Sequence, residues 1–111
     1  MIYEQRTYRL TTAPMMEHLH DRMEHRLLPM FEEFDIHAVG AWEVMIGPDL
    51  PRYTYLLEWR DLQHRQESFE AFYADGRWPE IRRESVERAN DEIVASLASE
   101  LWTPASYSPM R

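Results

Sequence analysis

The sequence predicts an α+β domain in which a four-stranded antiparallel sheet carries two helical segments on one face. Three observations support that expectation. Apolar and aromatic residues alternate with polar ones over Ile2–Leu10 and over Arg52–Arg60, the period of a strand. From Met15 to Phe34 the apolar residues recur at steps of three and four, the period of a helix with one buried stripe. With the turn signals between them, the segments run strand, helix, strand, strand, helix, strand.

The first strand, Ile2–Leu10, is rich in Tyr and Thr and ends at Thr11-Thr12-Ala13-Pro14. Thr12 is read as the N-cap of the first helix, with Pro14 near its first turn, where a missing N–H costs little. Met16, Leu19, Met23, Leu27, Met30 and Phe34 form that helix's inner stripe. Pro29 removes a donor toward the carbonyl of His25, so a kink is expected there that turns Phe31 and Phe34 onto the core. The second strand is read over His37–Ile46, with Trp42, Val44 and Ile46 on one face, before the turn signal Gly47-Pro48-Asp49-Leu50-Pro51. In the third, Arg52–Arg60, Tyr53, Tyr55, Leu57 and Trp59 alternate with Thr54, Leu56 and Glu58.

Asp61 caps a second helix that runs through His64 to about Tyr73 and is interrupted by Gly76; Pro79 then reopens it. Ile81, Ser85, Ala89 and Ile93 mark its inner face, with Glu84 and Arg88 as an outer i,i+4 pair. The last strand falls within Ala95–Tyr107. This order is that of the split βαβ, ferredoxin-like plan, βαββαβ.

Composition narrows the function classes. A chain of 111 residues has room for one domain, here residues 1–111. Four Trp, six Tyr and four Phe argue against disorder, and the lack of Cys excludes disulfides, thiolate metal sites and Cys nucleophiles. A formal net charge of −8 opposes a nucleic-acid partner. No apolar run approaches the ~18 residues of a membrane span, and the N-terminus lacks a signal peptide's layout. A soluble cytoplasmic protein with no membrane partner is expected.

Both faces of the sheet carry apolar residues. Opposite Trp42 the second strand still bears Val39, Ala41 and Met45, and Leu56 lies opposite Trp59. Two helices cover only one face, so a second copy packed sheet to sheet is expected, giving a homodimer with a shared interior.

Five segments resemble one family. Ile2-Tyr3-Glu4-Gln5-Arg6-Thr7-Tyr8 is similar to the Tyr-Glu-Leu-Arg-Thr-Tyr opening of NIPSNAP domains. Leu28-Pro29-Met30-Phe31-Glu32 resembles the family's Leu-Pro helix element, and Asp61-Leu62-Gln63-His64-Arg65 its Ser-Leu-x-His-Arg element. Trp78 resembles its late Trp, and the tail from Leu101 to Pro109 its Leu-x-Pro-x-x-Phe-Ser-Pro ending, with Gln5 and Tyr107 as departures. The resemblance implies the dimeric α+β barrel fold. It implies little about activity, since the wider superfamily includes cofactor-free oxygenases, haem enzymes, isomerases and plain binding proteins.

Candidate site residues follow from strand and helix periodicity. Glu4, Arg6 and Tyr8 share one face of the first strand, so Arg6 is a candidate clamp for a carboxylate or enolate and Glu4 a candidate base. Glu43 and Glu58 are read on the same side. The structural alternative is a Glu4–Arg6 bridge that orders the barrel. His20 is placed on the inner stripe beside Met16, Met23 and Leu27, as an acid–base group, a haem ligand or a core histidine; His18, Arg22 and His25 are placed opposite. His18 and His25 with Asp21 have the spacing of a surface metal site, against the simpler reading of a solvated face. His64 and Arg65 are family-like and read as anchors of the second helix or ligand contacts. Trp42, Trp59, Trp78, Tyr53 and Tyr55 divide between core and an aromatic pocket. No phosphate loop, dinucleotide fingerprint or serine-nucleophile motif is present. Three readings stay open: a cofactor-independent enzyme acting on a small, aromatic or polyketide-like molecule; a non-catalytic binding or assembly domain; and a haem protein using His20 or His64. The first two need no cofactor and no metal.

Overall fold

Edge and centre are divided in the sheet as its side chains demand. In the computed structural model, which describes Met1–Arg111, four antiparallel strands lie in the order β2-β3-β1-β4. They are β1 (Ile2–Leu10), β2 (His37–Glu43), β3 (Arg52–Trp59) and β4 (Val94–Trp102). The helical layer comprises α1 (Met15–Arg22), a π-helical turn (Met23–Leu27), α2 (Leu28–Glu33), α3 (Leu62–Asp75) and α4 (Arg77–Ala89). No helix is long and apolar enough to cross a membrane.

The central pair β1–β3 sets the faces. Glu4 lies opposite Leu57, Arg6 opposite Tyr55 and Tyr8 opposite Tyr53, so these six residues share the helix-covered face. There Leu19, Met23, Leu27, Met30, Phe31, Phe69, Phe72 and Ile81 pack against Tyr53, Tyr55, Leu57 and Trp59. The other face carries Tyr3, Gln5, Thr7 and Arg9 beside Glu58, Leu56, Thr54 and Arg52, with Trp102, Glu100, Ala98 and Ser96 from β4. No helix covers it. The C-terminal tail crosses one end, where Thr103, Pro104, Ser108 and Met110 form a shallow cavity with Tyr3, Leu56 and Trp102.

Several local expectations are corrected. Thr12 makes no side-chain cap; Pro14 itself occupies the N-cap of α1. Pro29 does not simply delete a bond. The chain widens into a π turn in which the Leu28 N–H reaches the Met23 carbonyl, and Pro29 then falls in the first turn of α2, where no N–H is needed. The extra residue rotates the two halves by about 100° relative to one another. The inward stripe of α1 is therefore Met15, Leu19 and Arg22, leaving Met16 half-buried and His20 exposed.

The second strand stops at Glu43, short of Ile46, and a bulge between Ala38 and Gly40 shifts its faces. A Cβ at Gly40 would stand 2.4 Å from the Trp42 ring, so any larger residue there has to displace that half-exposed indole. As an edge strand β2 stays largely exposed, Trp42 included, and Ile46 beyond it is exposed too. The last strand begins at Val94 and ends at Trp102 rather than near Tyr107. Glu84 and Arg88 do not pair with each other; Glu84 bonds Arg26 and Arg88 bonds Asp21, stapling α4 to the α1 side.

Asp61 does cap α3, its carboxylate accepting the His64 N–H at 2.8 Å. Gly76 ends α3 in the left-handed region at φ 88°, allowing α4 to start at once. A Cβ at Gly76 meets nothing within 4 Å. Gly76→Ala is therefore expected to cost about 1–2 kcal/mol through backbone conformation alone, read as a lower urea midpoint with unchanged m.

Candidate functional site

The helix-covered face of β1 holds a continuous polar network. Glu4 is fully buried and accepts four hydrogen bonds: from Arg65 Nε at 2.7 Å, Arg65 Nη2 at 3.1 Å, Arg6 Nη1 at 3.2 Å and Trp59 Nε1 at 3.1 Å. Burial pushes its carboxyl upward. The hydrogen bond and charge of Arg65, the charge of Arg6 and the Trp59 N–H outweigh that and hold it below its ordinary value. Such a carboxylate has its lone pairs engaged and is a poor base. Both guanidinium groups lie over the Phe69 ring at 5.3 Å, Arg6 buried and Arg65 still partly open to water.

The network continues through phenols. Arg6 Nε donates to the Tyr55 hydroxyl at 2.7 Å, and the Tyr55 and Tyr8 hydroxyls are 2.6 Å apart. Burial, then the neighbouring Tyr8, pushes the Tyr55 phenol well above its ordinary value, against the opposing pull of Arg6, so it stays protonated. Tyr53 is pushed up to about 12 by burial and by Tyr8. Tyr55 already accepts from Arg6 and is fully buried. Its own proton must therefore go to Tyr8, the one acceptor within reach, which leaves the Tyr8 proton free to point onward.

Glu4, Arg6, Tyr8, Trp59 and Arg65 are thus brought together. The others are not. Glu58 lies opposite Tyr3 on the uncovered face, correcting its placement beside Glu4. Glu43 sits on the edge strand and bonds His20 Nε2 at 2.7 Å, with both side chains about half exposed. His20 is thereby corrected from the inner stripe to the surface. His64 accepts the Arg60 N–H on Nδ1 at 3.0 Å and directs Nε2 to the Asp35 carbonyl at 2.8 Å. Both ring nitrogens are used in anchoring the β3–α3 turn, so His64 does not fit a haem ligand. No group of three or more His, Asp and Glu side chains converges as a metal site would require.

A cavity of about 310 Å³ opens between β4, α4 and the π turn, lined among others by Tyr8, Arg22, Leu27, Trp78, Arg82 and Leu97. Arg22 is its unexpected member. Only 5% exposed, it donates from Nε to Ser85 Oγ at 2.9 Å and lies over the Trp78 ring at 5.5 Å, yet has no carboxylate partner. Burial, then the nearby Arg82, lowers its pKa. Helical periodicity drawn through Met16 and Met23 puts Arg22 outside. The signal that finds it is Met15-x-x-x-Leu19-x-x-Arg22, a stripe ending just before Pro29 forces the wide turn.

The chain is similar in fold to several solved structures. An uncharacterised NIPSNAP domain protein from Burkholderia xenovorans is 24% identical with a TM-score of 0.82, the match covering 98% of this chain and 99% of that one. A NIPSNAP family protein from Agrobacterium tumefaciens is 21% identical at a TM-score of 0.83, covering 99% and 98%. A second from Agrobacterium tumefaciens, of unknown function, is 22% identical at 0.85, covering 100% and 94%. No curated protein matches the chain. Residues 3–109 match the NIPSNAP family model, and the chain belongs to the NIPSNAP family.

Proposed function

We propose that this NIPSNAP domain is a dimeric binding domain that encloses a small, partly aromatic organic molecule between its sheet and its helices. The observation that supports it is the cavity bounded by Trp78, Leu27, Leu97 and Tyr8, whose volume of about 310 Å³ lies at the small end of ligand pockets. The Glu4–Arg6–Arg65 network does not line this cavity and reaches it only through the Tyr55 and Tyr8 hydroxyls. Because Glu4 has its lone pairs engaged and its carboxyl held low, binding is favoured over proton abstraction at that residue. The dimer follows from the uncovered sheet face, where Trp42 and Trp102 stay 53% and 41% exposed.

The test uses 1-N-phenylnaphthylamine, a neutral dye that brightens in apolar surroundings. The protein is expected to bind it saturably. Leu97→Trp, which adds bulk at the half-exposed edge of the cavity without entering the core, is expected to weaken binding about tenfold or more while leaving the circular dichroism spectrum unchanged. Absence of saturable binding, or equal binding by the two proteins, overturns the reading.

A further inference from the structure

A buried guanidinium without a carboxylate is rare because its desolvation is uncompensated. Of the three acidic or arginine side chains that are buried as whole residues, two are matched: Glu4 by Arg65 and Arg6, and Arg6 by Glu4 and Tyr55. Arg22 is the exception. Its Nε is used on Ser85, and its two terminal nitrogens have no protein acceptor, although the side chain is buried and lines the cavity. We propose that the cavity takes a small organic monoanion, a carboxylate on an apolar body, held by the terminal nitrogens of Arg22 and by the Tyr8 hydroxyl. This inference rests on the reading of the cavity as a ligand site and names the ligand's class.

Three features select that class. First, the charge count around the cavity is plus one. Arg82 is already paired with Glu92 at 3.0 Å, so Arg22 alone is uncompensated, and the Glu92 carboxylate on the lining disfavours a dianion such as a phosphate monoester. Second, the planar fork of a guanidinium matches a carboxylate's two oxygens, and the Nε bond to Ser85 and the Trp78 ring 5.5 Å away position it at the cavity. Third, the buried relay from Arg6 through Tyr55 commits the Tyr8 hydroxyl to donating outward, where Tyr8 itself lines the cavity. Leu27, Trp78, Val94 and Leu97 leave the remaining walls to an apolar body.

Displacement of 1-N-phenylnaphthylamine by 2-naphthoate and by 2-naphthylmethanol isolates the carboxylate, because the two competitors share one ring system. The wild-type protein is expected to prefer the acid by about tenfold or more, the scale of one charge-assisted hydrogen bond. Arg22→Met is expected to abolish that preference, acid and alcohol then displacing the dye equally, and Arg22→Lys to restore part of it. Tyr8→Phe is expected to reduce the preference without abolishing it. The wild-type comparison needs no variant, so a folding defect in Arg22→Met cannot rescue the proposal. Equal displacement by acid and alcohol overturns the anion assignment and leaves the cavity reading intact. Dye binding that neither compound displaces and that Leu97→Trp does not weaken overturns both.

Discussion

Glu4→Leu is expected to remove about 3–5 kcal/mol of stability, the loss typical of stranding one partner of a buried ion pair. Arg6 is 9% exposed and cannot reach water without unpacking Phe69 and Tyr55, and the Trp59 N–H loses its acceptor as well. Arg6→Leu is expected to cost less, about 1–3 kcal/mol, because Glu4 keeps both bonds from Arg65 and the one from Trp59. Urea denaturation of the two variants reads the order directly. An Arg6 variant less stable than the Glu4 variant would show that Arg65 does not carry the carboxylate.

The same residue predicts the acid limb of the stability profile. The Glu4 carboxyl is held below its ordinary 4.5 in the folded state, so its contribution is fully present above 4.5 and is lost as pH falls through the lower folded value. Glu4→Gln, which keeps the shape and drops the charge, is expected to flatten that part of the profile.

Charge reversal on the uncovered sheet face is expected to weaken the proposed self-association. Arg9 and Arg52 lie directly opposite each other on β1 and β3, like charges that a bare sheet would avoid, and Arg52 Nε is buried with no acceptor. Further along the same face stand Glu100, about 13 Å along the strands, and Glu58, about 20 Å along them. A second copy related by a two-fold axis parallel to the sheet and crossing the strands sets Arg52 over its Glu58 and brings Arg9 within side-chain reach of its Glu58 and Glu100, with Leu56, Trp42 and the Thr7–Thr54 pair between. Such a contact is self-complementary.

Wild-type protein is expected to run as a dimer at micromolar concentration by light scattering, with roughly 2,000 Å² buried in total. Arg9→Glu with Arg52→Glu is expected to weaken association about a hundredfold or more, each stranded charge costing roughly 2–5 kcal/mol. Adding Glu58→Arg and Glu100→Arg is expected to restore it. A wild-type monomer removes the dimer, and failure of the fourfold variant to recover removes this axis.

How much of this was legible in the residues depends on how local the governing physics is. Strand β3 could be read almost to the residue, because Tyr53, Tyr55, Leu57 and Trp59 alternate without interruption and Asp61 supplies a cap at its end. The partnership of Glu4 and Arg6 followed from strand period alone. Their role did not. It depends on Arg65, 61 positions away, and on Trp59, both delivered by the β3–α3 turn that His64 anchors. Glu58 was misplaced for the simplest of reasons: a residue one step from Trp59 points to the other face.

By itself, then, the sequence determined the order of elements, the antiparallel plan, the cap at Asp61, the break at Gly76 and the NIPSNAP resemblance, since periodicity, capping and glycine conformation act within a few residues. Only the tertiary structure decided which face of β1 meets the helices, which edge β2 occupies, and that Arg22 turns inward while His20 turns out. The last of these hinges on one extra residue in the helix before Pro29. A slip of about 100° costs little in local backbone energy, so the packing of Leu19, Met23 and Leu27 against the sheet selects it.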